Sequence, residues 1–359
     1  MTSQDPAGTT ARQPTAGETR DTALDKARAS LRPQRRRTPP WVGLAVAIVV
    51  LLAISPFAYT LQLGVVTTLT TALLYAVVAL GWNLLGGYGG YLNFGAAFLV
   101  GSGVYTAALL NSNFGWSMWA GIVPAIIVAS LVALPVGVAT LRLRGFYFAI
   151  FTLALSSLAQ VIVLNSDWLG EALGVYTDAP VTGSRPLAAL FYLTLLGLTI
   201  VAVVLSFWVE HSRFGYALRA IREDEDAAAV LGVRTAEVKL RALLLGAALA
   251  GAAGAILAFR TGYIEPFGTF NVAFSLDIVL VCVIGGMATW YGPLIGAFIV
   301  VWLEQWLRTT VPDLHPFGAD IPAEASRIVL GLLLIVFALY ARRGVAGFFR
   351  RVRGRRLAV

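Results

Sequence analysis

Long apolar segments separated by short polar ones extend over most of the chain. Segments of about 20 apolar residues are typical of membrane-spanning helices. The hydropathy pattern predicts about ten spans, and an even number of crossings places both termini on the same side of the membrane. The predicted spans are 41–61, 65–85, 92–111, 117–140, 145–165, 187–209, 241–261, 275–289, 293–310 and 326–341. The expected fold is therefore an all-α polytopic membrane protein.

A dense run of charged residues at 210–241, here called the charged island, interrupts this pattern. Its apolar positions recur at about helical spacing and predict one or two short amphipathic helices. The acidic run argues against anionic lipid as the cover for the apolar stripe, leaving a partner protein or a solvated helix without a partner. The candidate binding residues are Gly215, Ala217, Leu218, Ile221, Arg222, Glu223, Ala228, Leu231 and Gly232, and Ile221, Ala228 and Leu231 are expected to form the docking stripe.

Two glycine-rich segments, 86–95 and 285–296, also depart from the pattern of simple spanning helices. Irregular backbone at membrane depth is tolerated only where it is buried or lines a cavity. Both segments are therefore candidates for broken helices near a solute path, with short turns on the solvent side as the alternative. The candidate path residues are Gly86, Gly87, Gly89, Gly90 and Asn93 in the first segment, and Gly285, Gly286, Gly292 and Pro293 in the second.

Composition supports the membrane assignment. Hydrophobic residues make up 58% of the chain and charged residues 13%, and the mean hydropathy is +0.77. The net charge of +8 does not indicate nucleic acid, because the basic residues cluster beside apolar segments, as cytoplasmic flanks do. We expect a disordered cytoplasmic tail at 1–40, a transmembrane domain at 41–341 that includes the charged island, and a basic cytoplasmic tail at 342–359.

The sequence lacks the residue patterns typical of ATP hydrolysis, metal binding and nucleophilic catalysis. No phosphate-binding GxxxxGK[ST] motif occurs, so the chain is not expected to hydrolyse ATP through that fold. The single cysteine, Cys282, and the two histidines, both in predicted loops, give no metal cluster and no nucleophilic triad. We therefore expect no enzyme activity, no metal and no cofactor of its own.

A few ionisable residues lie near the predicted ends of spans, namely Arg260, Asp277, Glu304, Arg308 and Arg327. Glu304 and Arg308 are four residues apart, a spacing that lets them pair on one helix. Anchoring at the membrane interface and this local pair explain the residues without a proton or sodium relay.

Three stretches in the same order resemble the permease subunits of branched-chain amino acid importers of the ATP-binding-cassette class. They are GWNLLGGYGGYLNFGAAFLVGSGVYTAALL at 81–110, SRFGYALRAIREDEDAAAVLGVRTAEVKLRALLLGAALAGAAGAILA at 212–258 and GGMATWYGPLIGAFIVVWLEQWLR at 285–308. The resemblance extends from about residue 65 to 342. Departures at Tyr91, Leu92, Asn93, Ala288 and Thr289 fall in the two glycine-rich segments.

The resemblance implies a function and a set of partners. The chain would translocate branched-chain or other hydrophobic amino acids across the bacterial cytoplasmic membrane, with both termini cytoplasmic. Two cytoplasmic ATPase subunits would bind the ATP, and the helix from Gly215 to Gly232 would couple to them. A homologous second permease and an extracytoplasmic substrate-binding protein would complete the importer. The alternatives are a permease for urea or short amides, an ion-coupled secondary carrier and a membrane scaffold.

Overall fold

The computed structural model of the protein describes residues 40–140, 143, 145–178, 184–310, 331 and 345. Apart from residues 40, 331 and 345, the predicted N-terminal tail, the last predicted span at 326–341 and the basic tail at 342–359 lie outside these residues.

Helices dominate the described part of the chain. They are α1 Pro40–Ala53, α2 Phe57–Thr60, α3 Leu63–Asn83, α4 Ala96–Phe114, α5 Met118–Thr140, α6 Phe146–Leu164, α7 Arg185–His211, α8 Arg213–Glu223, α9 Glu225–Val230, α10 Thr235–Thr261, α11 Pro266–Thr269, α12 Val272–Gly285 and α13 Gly292–Thr310. A π-helical turn, Leu84–Tyr88, continues α3, and two 3₁₀ turns, Asp167–Leu169 and Glu171–Leu173, follow α6. Every predicted span within the described residues contains a helix.

Six helical segments of the described chain are long and apolar enough to cross a membrane. They are Leu63–Tyr88, Met118–Ala139, Phe146–Leu164, Arg185–His211, Thr235–Thr261 and Pro266–Gly285. The predicted all-α membrane class is therefore confirmed, whereas the number of about ten spans stays a prediction.

The core forms around α10, which packs against α3, α4 and α5. Small residues let these helices meet at backbone distance. A Cβ atom added at Gly103 of α4 would lie 2.4 Å from the carbonyl oxygen of Gly251 in α10, and one at Gly254 would lie 2.3 Å from that of Val100. A Cβ added at Gly81 of α3 would lie 3.1 Å from the carbonyl oxygen of Gly246. The run of small residues in α10 is therefore a helix-packing surface.

The outer faces of several helices carry large apolar side chains. On α5 these exposed side chains are Trp119, Val123, Ile127, Leu131, Leu134 and Val138, and on α6 they include Ile150, Leu158, Val161 and Ile162. Such a broad apolar surface is expected where helices face lipid rather than water.

A short antiparallel sheet lies at the end of α10 that is farther from α8 and α9. Strand β1, Val175–Tyr176, pairs with β2, Tyr263–Ile264, with Val175 opposite Ile264. The Thr177 amide donates to the carbonyl oxygen of Gly262 at 2.9 Å, and the Asp178 amide donates to Asn111 Oδ1 at 2.7 Å. These bonds fix the loop after α6 to the ends of α4 and α10.

Candidate functional site

The charged island folds into the two short helices α8 and α9, as the periodicity predicts. Ser212 caps α8, because its Oγ accepts a hydrogen bond from the Gly215 amide at 3.2 Å. Asp224 caps α9 by accepting from the Ala227 amide at 3.0 Å. Gly232, with φ of +90°, follows α9 in the left-handed region that favours glycine.

The apolar residues of the island do not form one exposed stripe. Leu218 and Ala228 are buried and Ile221 is 3% exposed, whereas Val230 and Leu231 are 88% and 84% exposed. The predicted docking stripe of Ile221, Ala228 and Leu231 is therefore wrong as a single surface. The buried side of each amphipathic helix is covered by this chain itself, whereas Tyr216 of α8 and Val230 and Leu231 at the end of α9 are exposed.

The other predicted island residues take different positions. A Cβ added at Gly215 would lie 1.9 Å from the carbonyl oxygen of Val209, so glycine allows the tight turn between α7 and α8. Ala217 is half-buried, whereas Arg222 and Glu223 are exposed. The role of these residues in coupling to an ATPase stays a prediction.

The first glycine-rich segment packs directly against α8. Arg222 Nη1 donates to the carbonyl oxygen of Gly87 at 2.9 Å. A Cβ added at Gly90, which has φ of +76°, would lie 2.8 Å from Arg222 Cγ, and one at Gly89 would lie 3.4 Å from Leu218 Cδ2. The absence of side chains at these glycines therefore lets α8 pack closely against this segment.

Asn83 joins the two glycine-rich segments. Its fully buried side chain accepts from the Ala288 amide at 2.9 Å and donates to the carbonyl oxygen of Thr289 at 3.1 Å. A Cβ added at Gly87 would lie 1.8 Å from Asn83 Oδ1, so the close approach of this amide requires glycine there. The side chain of Asn83 therefore connects the two segments.

The second glycine-rich segment is a tight turn between α12 and α13. A Cβ added at Gly285 would lie 1.9 Å from the carbonyl oxygen of Gly292. The Thr289 hydroxyl donates to the carbonyl oxygen of Gly286 at 2.8 Å and accepts from the Gly292 amide at 3.0 Å. Pro293 is the second residue of α13, where the missing amide hydrogen costs no helical hydrogen bond.

Glu210, near the end of α7, contacts both glycine-rich segments and α8. Its Oε2 accepts from the Tyr88 hydroxyl at 3.0 Å and from the Trp290 amide at 2.8 Å. Its Oε1 lies 3.7 Å from Arg219 Nη2. One carboxylate therefore connects α7, α8 and the two glycine-rich segments. The position of Glu210 at the edge of the charged island did not reveal this role.

A second carboxylate, that of Glu225, fixes α9 to α10. Lys239 Nζ lies 2.6 Å from Glu225 Oε1 and donates to the Tyr91 hydroxyl at 3.1 Å, while the Tyr91 hydroxyl itself donates to Glu225 Oε2. The Lys239 side chain is 3% exposed. Sequence reasoning missed this ion pair, although Lys239 is one of only two lysines in the chain, which was an available signal.

Asn93 lies between two small cavities of about 20 and about 10 Å³. Its carbonyl oxygen accepts from Trp82 Nε1 at 2.5 Å, and its Oδ1 accepts from the Gly95 amide at 2.8 Å. Cavities of this size are comparable to one water molecule and too small for an amino acid. That Asn93 and the glycines line a solute path stays a prediction, whereas the contacts of Gly87 and Gly90 with Arg222 of α8 are direct.

No group of three or more histidine, cysteine, aspartate or glutamate side chains within the described residues is arranged to hold a metal ion. Ion pairs and hydrogen bonds of α8 and α9 attach this helical pair to the ends of the long apolar helices.

Comparison with known proteins identifies the family. The model of the family described as "Branched-chain amino acid transport system / permease component" matches residues 64–338. Because the match covers well over half of the sequence, the chain belongs to this family.

Similar proteins include the high-affinity branched-chain amino acid transport system permease protein LivM of Escherichia coli K12. It is 28% identical over 329 residues, which cover 84% of this chain and 73% of LivM. The corresponding LivH protein of Salmonella typhimurium LT2 is 27% identical over 319 residues, covering 81% of this chain and 96% of LivH. A solved structure of a metal-chelate type ABC transporter in an inward-facing conformation aligns with a TM-score of 0.45 and 16% identity, over 84% of this chain and 98% of that one.

Proposed function

We propose that this protein is the transmembrane permease subunit of an ATP-binding-cassette importer that translocates branched-chain or other hydrophobic amino acids. The observation that carries the proposal is the attachment of α8 and α9 to both glycine-rich segments, because a permease without its own ATPase must receive force through such a contact. The family match to branched-chain amino acid permeases supports the same reading and names the solute class.

The coupling route follows from the contacts at the site. An ATPase bound at the exposed end of α9 would displace α8 and α9 together, since Asp224 lies at their junction. Arg222 would transmit that displacement to Gly87, Glu210 to both glycine-rich segments, and Lys239 to α10. The transmembrane helices would then tilt and expose the solute path alternately to the two sides.

The proposed assembly contains two cytoplasmic ATPase subunits, a homologous second permease and an extracytoplasmic substrate-binding protein. ATP belongs to the ATPase subunits, and this chain has no catalytic role. We place it in the bacterial cytoplasmic membrane with about ten spans and both termini cytoplasmic. The basic residues of the charged island support this orientation, because arginine and lysine near span ends resist translocation. The glycine-rich segments would line the inner end of the path.

The proposed function predicts energised uptake. The complete complex, reconstituted in proteoliposomes with ATP inside and the loaded binding protein outside, should accumulate radiolabelled leucine. Uptake should require ATP and should persist when ionophores dissipate proton and sodium gradients. Uptake that instead follows an ion gradient would identify a secondary carrier, and uptake of urea in preference to leucine would change the solute class.

A separate prediction concerns the ATPase contact. The double variant Val230→Asp/Leu231→Asp should reduce co-purification of the ATPase by about tenfold or more, because each 1.4 kcal/mol lost at an interface weakens binding tenfold. The permease itself should fold normally, since both side chains are exposed in this chain alone. Affinity capture on a tagged permease, with the ATPase quantified per permease, measures the effect.

Two variants serve as controls for that experiment. Leu173→Asp changes a side chain of similar exposure, 82%, at the other end of the bundle and should leave ATPase capture unchanged. Ile221→Asp should lower the yield of folded permease instead, because it places a charge in a buried position. Undiminished ATPase capture by Val230→Asp/Leu231→Asp would remove the end of α9 from the interface.

A further inference from the structure

The turn between α12 and α13 contains a strained backbone position. Ala288 has a φ of +56°, in the left-handed region that is unfavourable for residues with a side chain. Among the described residues, the other non-glycine residue with a positive φ is Glu171, which is exposed in the 3₁₀ turn after α6. Ala288 is instead half-buried. Strain of this kind persists only where the surrounding contacts hold the backbone in place.

Side chains from two other helices hold this turn. Asn83 at the end of α3 accepts from the Ala288 amide at 2.9 Å and donates to the carbonyl oxygen of Thr289 at 3.1 Å. Glu210 near the end of α7 accepts from the Trp290 amide at 2.8 Å. Three consecutive residues of the turn are therefore bonded through their backbone to side chains that are distant in the sequence.

The carboxylate of Glu210 also belongs to the environment of α8. Its Oε1 lies 3.7 Å from Arg219 Nη2, and the Arg219 guanidinium lies 5.5 Å from the centre of the Tyr88 ring. The Tyr88 hydroxyl donates to the same carboxylate at 3.0 Å. One helical turn earlier on α7, the ring of Phe207 packs edge to face against that of Trp290, with the centroids 5.6 Å apart. The end of α7 therefore contacts both α8 and the strained turn.

We propose that the turn 286–291, here called the switch turn, has two backbone conformations and that Glu210 is the positioning residue that selects between them. When α8 moves with the ATPase, Arg219 displaces the Glu210 carboxylate and the Trp290 amide loses its acceptor. Ala288 then relaxes toward the right-handed region, and α12 and α13 move relative to each other. This inference rests on the proposed function and adds a strained element through which the movement of α8 is read.

Amide hydrogen exchange tests the switch turn directly. The complete complex in nanodiscs is compared without nucleotide and after trapping with ATP and vanadate. The amides of residues 287–291 should exchange several-fold faster in the trapped state, because Ala288 and Trp290 lose the side-chain oxygens that accept from them. Equal exchange in the two states of a complex that transports leucine would overturn the proposal, because the turn would then not change its conformation.

Relief of the strain provides a second measurement. Ala288→Gly keeps the backbone bonds of the turn and removes the cost of a positive φ, so it should favour the strained conformation. We expect a smaller rise in exchange on trapping and leucine uptake that is several-fold slower. Glu171→Gly is the matched control, because it relieves the other positive φ in an exposed turn and should leave both values at those of the parent. Parental uptake and exchange in Ala288→Gly would show that the strain has no role in transport.

Glu210→Gln tests the positioning role. Glutamine is similar in size but has one carbonyl oxygen in place of two charged ones, so its bonds to the Trp290 amide and to Arg219 should weaken. Exchange at residues 287–291 without nucleotide should rise toward the value of the trapped parent. Parental exchange in this variant would remove Glu210 from the switch. Leucine uptake by the parental complex tests the proposed function separately, so an active importer whose turn does not change loses this inference alone.

Discussion

Replacing Lys239 with methionine should cost the protein about 3–5 kcal/mol of stability, because it leaves the Glu225 carboxylate largely buried without its counter-charge. The Lys239 side chain is 3% exposed and that of Glu225 14%, and their charged atoms are 2.6 Å apart. Since this pair fixes α9 to α10, the variant should also lose coupling between ATP hydrolysis and uptake. Thermal unfolding in detergent, followed by the loss of monodisperse protein, measures the first effect.

A double-mutant cycle separates the ion pair from general disruption of the site. The variant Glu225→Leu/Lys239→Met removes both charges and should be more stable than Lys239→Met alone, because no buried charge is left unpaired. Arg241→Met is the matched control: the Arg241 side chain is 63% exposed and pairs with Glu237 on the surface of the same helix. Such pairs contribute little, so its stability should stay close to that of the parent. Additive losses in the double variant would show that the pair does not interact energetically.

A second large effect is expected where α4 and α10 cross. Gly103→Ala places a methyl group 2.4 Å from the carbonyl oxygen of Gly251, and Gly251→Ala places one 2.6 Å from that of Ala125 in α5. Because these neighbours are backbone atoms, the helices must separate, and we expect each variant to lose about 1–3 kcal/mol. The same detergent unfolding assay and the yield of extracted protein report the loss.

Gly197 provides the comparison for these variants. It lies within α7, and a Cβ added there would meet no atom within 4 Å. Gly197→Ala should therefore be neutral or slightly stabilising, because alanine reduces the conformational freedom of the unfolded chain. If Gly103→Ala were as stable as Gly197→Ala, the close approach of α4 and α10 would not be a determinant of the fold.

Hydrophobic periodicity located the helices well. The predicted spans at 65–85 and 117–140 correspond to Leu63–Asn83 and Met118–Thr140, because long apolar segments have few alternatives in a membrane. The span predicted at 241–261 begins earlier, at Thr235. Its first turns carry Glu237, Lys239 and Arg241, which lower the local hydropathy. These charges are accommodated by ion pairs that hydropathy does not detect, so the start of the helix was missed.

The site was predicted less completely than the helices. Amphipathic spacing correctly indicated that 213–230 is helical, but it did not tell which surface covers the apolar face. Ile221 and Ala228 are buried by the chain itself. The same spacing would also occur in a solvated loop helix or in a helix covered by a partner protein. The glycine-rich segments were recognised as irregular, but their position beneath α8 depends on Arg222, 135 residues from Gly87 in the sequence.

By itself, the sequence determined that this is an all-helical membrane protein with a charged, helical island between two of its spans, because these properties depend on local composition and periodicity. Only the tertiary structure decided how distant residues meet. Glu210 joins segments that lie 122 and 80 residues away, and Arg260 reaches Thr71 across 189 residues. Such contacts depend on how the helices pack, and the packing is set by backbone approach at a few glycines together with the pairing of buried charges.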